Sequence, residues 1–293
     1  MSNTGKLSVG GQAVIEGVMM RGPGRIAVAV RKADGEIAVD AKPASSISDT
    51  YTILKKPFLR GVVSLVESLM YGMKALSYSA QASGEEDENM GDAEMAGTIA
   101  FSVALAIGLF VVLPTSAMKL LQLIGVPAFL LNICEGLLRL GIFLTYIWAI
   151  SRQKDIQRVF QYHGAEHKTI YTYEHGLPLR VENVRPFSTL HPRCGTNFLM
   201  IVMLISIFIF AFLCWPSLWE RILSRILLMP VVAGISYEII RFAGKHMDKP
   251  WVRTAILPGL CLQKLTTREP DDDQIEVAIA SLKAVLPPEE IKE

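Results

Sequence analysis

Four long apolar runs decide what this chain can fold into. Residues 96–118 are almost free of charge and long enough to cross a bilayer. Residues 126–150 form a second run, interrupted only by Glu135 and Arg139, and residues 198–215 a third. The fourth, 222–242, is weaker because it carries Arg225, Pro230, Glu238 and Arg241. Of 293 residues, 51% are hydrophobic and only 19% charged, against roughly 25% charged in soluble domains. The expectation is a mainly α-helical polytopic membrane protein with four spanning helices over residues 96–246. The lipid bilayer is then its first partner.

Outside these runs the chain changes character. Residues 1–56 open with a glycine-rich stretch, followed by Arg25–Arg31 and residues 36–42, in which Ile26, Val28, Val30, Ile37 and Val39 alternate around Asp34-Gly35. Period-two patterning around Asp-Gly predicts a β-hairpin, and so a small N-terminal β-containing cap. Residues 57–83 read as an amphipathic helix at the membrane interface, because Arg60, Glu67 and Lys74 recur every seventh residue on an otherwise apolar surface. Residues 84–95 read as an acidic, solvated linker, and residues 247–293 as a C-terminal tail.

Charge placement gives orientation. Arg152, Lys154, Arg158, Lys168, Arg180, Arg185 and Arg193 crowd the loop 151–196, whereas the 119–125 loop has only Lys119. Basic loops stay inside, which puts this loop and both termini in the cytoplasm. The start of the chain lacks the basic-then-apolar layout of a signal peptide. A net charge of +1 gives no global field for nucleic acid, so no nucleic-acid partner is expected. Cys134, Cys194, Cys214 and Cys261 are widely spaced and form no C-x-x-C pair, so disulfides are not expected.

The chemistry concentrates in Tyr162-His163-Gly164-Ala165-Glu166-His167-Lys168. On a helix, His163 and His167 lie one turn apart with Glu166 beside them. Two imidazoles so placed can share a divalent metal ion, zinc above all. The carboxylate can then take a proton from a water that the ion polarises, as the order H-x-x-E-H implies. The alternative is a polar juxtamembrane helix with two solvent-facing histidines. A third metal ligand has three candidates: His191 and Cys194 in the turn-forming segment RPFSTLHPRCGTN, and Glu238 near the end of the fourth run. Against these, Pro192 and Gly195 can simply shape a turn, and Glu238 can pair with Arg241. Glu135 and Arg139, four residues apart, are expected to form a salt pair within one helix. Glu16 and Arg21, in the glycine-rich start, can contribute to a site folded over the membrane surface or can merely belong to the cap.

GGQAVIEGVMMRGP, PFLRGVVSLVESL, YHGAEHK, HPRCGTNF and the stretch from GISYEIIR to LQKLTTREP together resemble the YqhQ-like family of bacterial membrane proteins. The likeness runs from about Gly10 to Ala278. The resemblance implies a predicted metal-dependent enzyme, without assigning roles to residues. The expectation is a metal-dependent hydrolase at the cytoplasmic membrane face, with His163 and His167 as ligands, His191, Cys194 or Glu238 completing the set, and Glu166 as general base. Its substrate, whether lipid-linked, peptide or small molecule, would enter at the interface. The rival readings are a membrane scaffold or assembly factor, with protein partners or a homo-oligomer, and a transporter.

Overall fold

The computed structural model describes residues 7–84, 92–214, 217–247 and 249–292. Its N-terminal part is an antiparallel meander of β1 (Gly10–Val14), β2 (Gly17–Gly22), β3 (Arg25–Arg31) and β4 (Ile37–Pro43), in spatial order β1-β2-β3-β4. The Asp34-Gly35 hairpin lies where the alternation predicts it, with Arg31 opposite Ile37 and Gly35 at φ +87°. The glycine-rich start extends the sheet: β1 and β2 are joined by Ile15 and Glu16 alone, with Gly17 opposite Val14.

Alternation sorts the sheet between two helical partners. Met19, Ile26, Val28 and Val30 point to one face and meet Tyr71, Ala75 and Tyr78. These belong to α2 (Leu59–Ser83), which follows a single-turn α1 (Ile47–Thr50). Val18, Met20, Ala27 and Ala29 point to the other face, against α11 (Asp272–Val285) and α6 (Lys154–Glu174). Helix α11 is built for that contact. Asp271 and Gln274 form its capping box, and Ile275, Ala278, Ile279, Leu282 and Val285 repeat at helical spacing on the buried side. The region 247–293, expected as a tail, thus contributes a helix to the core.

Helix α2 carries its amphipathy in reverse. Gly61, Glu67, Gly72, Ala75 and Ser79 are buried against protein, whereas Val66, Leu69, Met70, Met73 and Leu76 are exposed. Two charges of the heptad stripe are consumed inside. Arg60 holds Glu238, and Glu67 receives Arg21 at 2.8 Å. The large apolar side chains are left facing outward, which fits a helix lying on a lipid surface.

Three helices are long and apolar enough to cross a membrane: Ala100–Leu123, Ala128–Ile150 and Trp219–Lys245. The first joins α3 (Asp92–Ile107) to α4 (Leu113–Leu123) through a π-helical turn, Gly108–Val112. The second is α5 (Ala128–Ile150), and the third lies in α9 (Leu218–Lys245). Only 17%, 22% and 28% of these apolar stretches are buried within the chain, so most of their apolar surface calls for lipid or another cover. Of the four expected spans the third is the shortest: helix α8 (Gly195–Ala211) is apolar and has 17 residues, about 26 Å at 1.5 Å per residue, at the lower end of the roughly 17–25 residues of a spanning helix. It packs against α5, α9 and α10 (Pro250–Thr266). Of the expected acidic linker, residues 85–91 lie outside the described residues, and the chain is helical again from Asp92.

Within the apolar helices, Glu135 is fully buried and bonds Arg139 at 2.8 Å, as the i,i+4 spacing predicts. Arg225 of α9 adds a second, bidentate partner, and Thr115 of α4 donates at 3.0 Å.

Candidate metal centre

Helix α6 sits between the sheet and the C-terminal end of α10, and this position sets both histidine rings. His163 Nδ1 lies 2.8 Å from the carbonyl oxygen of Thr266, and His167 Nδ1 is bonded to the carbonyl oxygen of Thr189. A carbonyl oxygen can only accept, so each ring donates from Nδ1, the tautomer in which a neutral ring keeps its lone pair on Nε2. The two rings are 4.4 Å apart between centroids. Cys194 completes the group: its Sγ is 3.1 Å from His163 Nε2, and the donor atoms of His163, His167 and Cys194 all lie within 4.8 Å of one another.

Each neighbour has a local cause. Gly164 permits the close approach: a Cβ there would stand 2.0 Å from the carbonyl oxygen of Arg268. The segment after α10 therefore rides directly on α6, where Arg268 donates its N–H to Phe160 at 2.9 Å and Thr266 can reach His163. Cys194 is the N-cap of α8, and its sulfur accepts from Thr196 N–H at 3.4 Å. The loop that brings Cys194 is fixed on both sides. Gln263 accepts from His191 N–H and donates to His191 O, each at 2.8 Å, and Asn197 donates to Pro192 O at 2.7 Å.

Glu166 lies beside the three donors, with Oε2 4.0 Å from His163 Nε2. Burial pushes its carboxyl above the ordinary carboxylate range, opposed by His163, His191 and a hydrogen bond from the Gly11 amide. A Cβ at Gly11 would come within 3.1 Å of Glu166 Cγ, so the glycine lets β1 approach the carboxylate. Burial also lowers His167 and takes His191 to about 4, which favours the neutral form of each ring.

The expected ligand candidates divide. Cys194 joins His163 and His167. His191 stands next to His167, 5.6 Å between ring centroids, but its Nε2 faces Glu174 at 3.6 Å and it is not one of the three clustered donors. Glu238 is held by Arg60 of α2 in a bidentate pair and lies outside the cluster. Its partner is Arg60, not the neighbouring Arg241. Glu16 and Arg21 are both committed to ion pairs, Glu16 with Arg158 and Arg21 with Glu67. Sequence reasoning missed Gly11, Thr189, Gln263 and Thr266. Three of these act through the backbone, which leaves no side-chain signature. The Gly10-Gly11 pair is the one signal that could have been read as a close backbone approach.

Two imidazoles with Nδ1 on carbonyls and one cysteine sulfur form a donor set that fits zinc, which takes nitrogen and sulfur ligands. Beside these donors a cavity of about 1020 Å³ opens between α2, α6, α8 and β1.

Comparison with known proteins agrees with the motif pattern. The chain is 37% identical over 302 residues to "Uncharacterized protein YqhQ" of Bacillus subtilis (strain 168), covering 97% of this chain and 94% of that protein. No solved structure matches. Residues 56–288 match the family described as "Protein of unknown function (DUF1385)", and the chain belongs to that family.

Proposed function

We propose that the protein is a metal-dependent hydrolase of the bacterial inner membrane, working at the cytoplasmic face with both termini in the cytoplasm. The observation that carries this reading is the pair of Nδ1–H groups spent on the Thr266 and Thr189 carbonyls, with both Nε2 atoms left to converge near Cys194 Sγ. Ligand histidines in metal sites are oriented in this way. The reversed amphipathy of α2 and the exposed apolar stretches support the membrane placement, and the basic loop 151–196 supports the orientation.

His163, His167 and Cys194 would hold a zinc ion, which supplies Lewis-acid polarisation at the reacting centre. The chain's own part is positional and proton-transferring. Burial raises Glu166, the direction that makes its carboxylate a better acceptor for a proton from an attacking water and a carrier of that proton to the leaving group. Gly11 lies against that carboxylate from the sheet side. His191 and Tyr171, 4.6 Å apart between ring centroids, close the site behind His167.

Metal analysis of protein purified from membranes tests the reading. One zinc per chain is expected, and the double variant His163→Ala, His167→Ala should lose it. Equal metal content in wild type and double variant would remove the centre.

A further inference from the structure

The edge of the sheet points to the class of substrate. β1 is the first strand of the meander, so among the described residues one of its sides has no strand partner. Val14 and Gly17 close a two-residue turn, and ladder hydrogen bonds therefore fall on Val14, Gln12 and Gly10 with their partners Gly17, Met19 and Arg21. Gly11 and Ala13 then turn their N–H and C=O groups away from β2. Among the described residues, the outward N–H and C=O of Ala13 have no partner.

This open edge forms one wall of the cavity that ends at the metal centre, and residues 8–13 line it without a break. The facing wall is apolar, with Leu65 and Leu69 of α2 and Phe198 and Leu199 of α8. Gly10 and Gly11 put no side chains in the way. An unpaired strand edge is a template for an extended chain, with main-chain bonds giving affinity and pockets reading alternate side chains.

We infer that the substrate is a polypeptide segment in extended conformation, with apolar side chains, bound by strand addition to β1. A lipid tail would fill the apolar wall but has no repeating amide to use the open edge. The inference rests on the hydrolase reading for the cleavage step and on the sheet edge for binding. In cleavage the substrate C–N bond breaks and the water oxygen ends on the acyl carbon. One water proton passes through Glu166 to the departing nitrogen, and the other leaves as the new carboxyl group ionises.

The test uses the full chain in phosphatidylglycerol nanodiscs, with Glu166→Gln to stop turnover, and a fluorescein-labelled octapeptide rich in Leu and Val. Fluorescence anisotropy gives its affinity beside that of the same peptide N-methylated at alternate amides. N-methylation in the pairing register should weaken binding at least tenfold. Ala13→Pro, which removes one outward donor and leaves the ladder to β2, should weaken the parent peptide similarly while zinc content stays unchanged. Equal affinity for both peptide forms overturns strand addition, with or without a result from Ala13→Pro. Failure of the peptide to bind, with saturable binding of lysophosphatidylglycerol instead, overturns the substrate class. Strand-dependent binding by a chain that holds no zinc would retain the edge and remove the hydrolase, so the two readings fail separately.

Discussion

His163 is tied to the last turn of α10: its Nδ1 sits 2.8 Å from the Thr266 carbonyl oxygen, 103 residues away in the chain. That bond sets the tautomer and aims Nε2 at Cys194. It exists only because α6 has no side chain at position 164, where the backbone of Arg268 crosses. The candidate centre and the packing of the C-terminal third of the chain are therefore one structural problem.

Gly164→Ala probes this dependence without touching a donor. Its Cβ would meet the Arg268 carbonyl at 2.0 Å, and backbone there cannot swing aside as a side chain would. Overpacking of this kind costs about 1–3 kcal/mol. The Thr266 carbonyl should move with the strap, and loss of such an outer partner typically lowers metal affinity ~10–100-fold. Thermal unfolding in detergent and zinc competition with a chelator should show both effects together. Weakened stability with unaltered zinc affinity would uncouple His163 from the α10 strap.

Cys194→Ser tests the third donor. Cobalt(II) substituted for zinc should give the intense near-ultraviolet absorption of a thiolate ligand in the wild type, and the serine variant should lose it. His191→Ala, by contrast, should keep that absorption, because the ring faces Glu174 and lies outside the cluster. If the histidine variant erased the band and the serine variant kept it, the ligand assignment would be reversed.

The sequence carried a good part of this arrangement. H-x-x-E-H on a helix required only helical geometry, so His163, Glu166 and His167 were legible, as was the hairpin at Asp34-Gly35. The choice among Cys194, His191 and Glu238 was not legible, because it turns on a loop held by Gln263 and on an ion pair from Arg60, both far off in sequence. The third apolar run continues in composition to Trp215, whereas its helix stops at Ala211, a boundary that composition alone does not mark. The role of α11 was hidden for a related reason: its apolar stripe is ordinary, and only the sheet it covers explains it.

The buried charge cluster yields an ordered series. Glu135 faces two guanidinium groups, from Arg139 and Arg225, of which Arg225 is bidentate and Arg139 makes a single bond. Glu135→Gln strips both arginines of their counter-charge and should be the most damaging, on the scale of about 3–5 kcal/mol for breaking a buried pair. Arg225→Gln should follow, because Arg139 still neutralises Glu135, and Arg139→Gln should be mildest. Chemical unfolding in mixed micelles can rank the three variants. Equal destabilisation by all three would mean that the cluster does not hold α5 to α9.

Acid should loosen the cap at Glu67. Burial would raise this carboxyl, but hydrogen bonds from Ser46, Arg21 and the Ile47 amide outweigh it and hold the group below its ordinary value of 4.5. A carboxyl depressed in the folded state favours folding fully above its unfolded value and loses that contribution as pH falls through the folded one. The contacts of Ser46, Ile47 and Arg21 with α2 should thus persist at neutral pH and open below about 4.5, the range where an unperturbed glutamate protonates. The Ile47 amide reports this directly because it donates to the carboxylate. Its hydrogen-exchange protection, corrected for the intrinsic rate, should drop across that acid window. In Glu67→Gln the protection should be lower at neutral pH and flat with acidification. A protection factor that falls equally in the variant would assign the acid response to some other group in the cap.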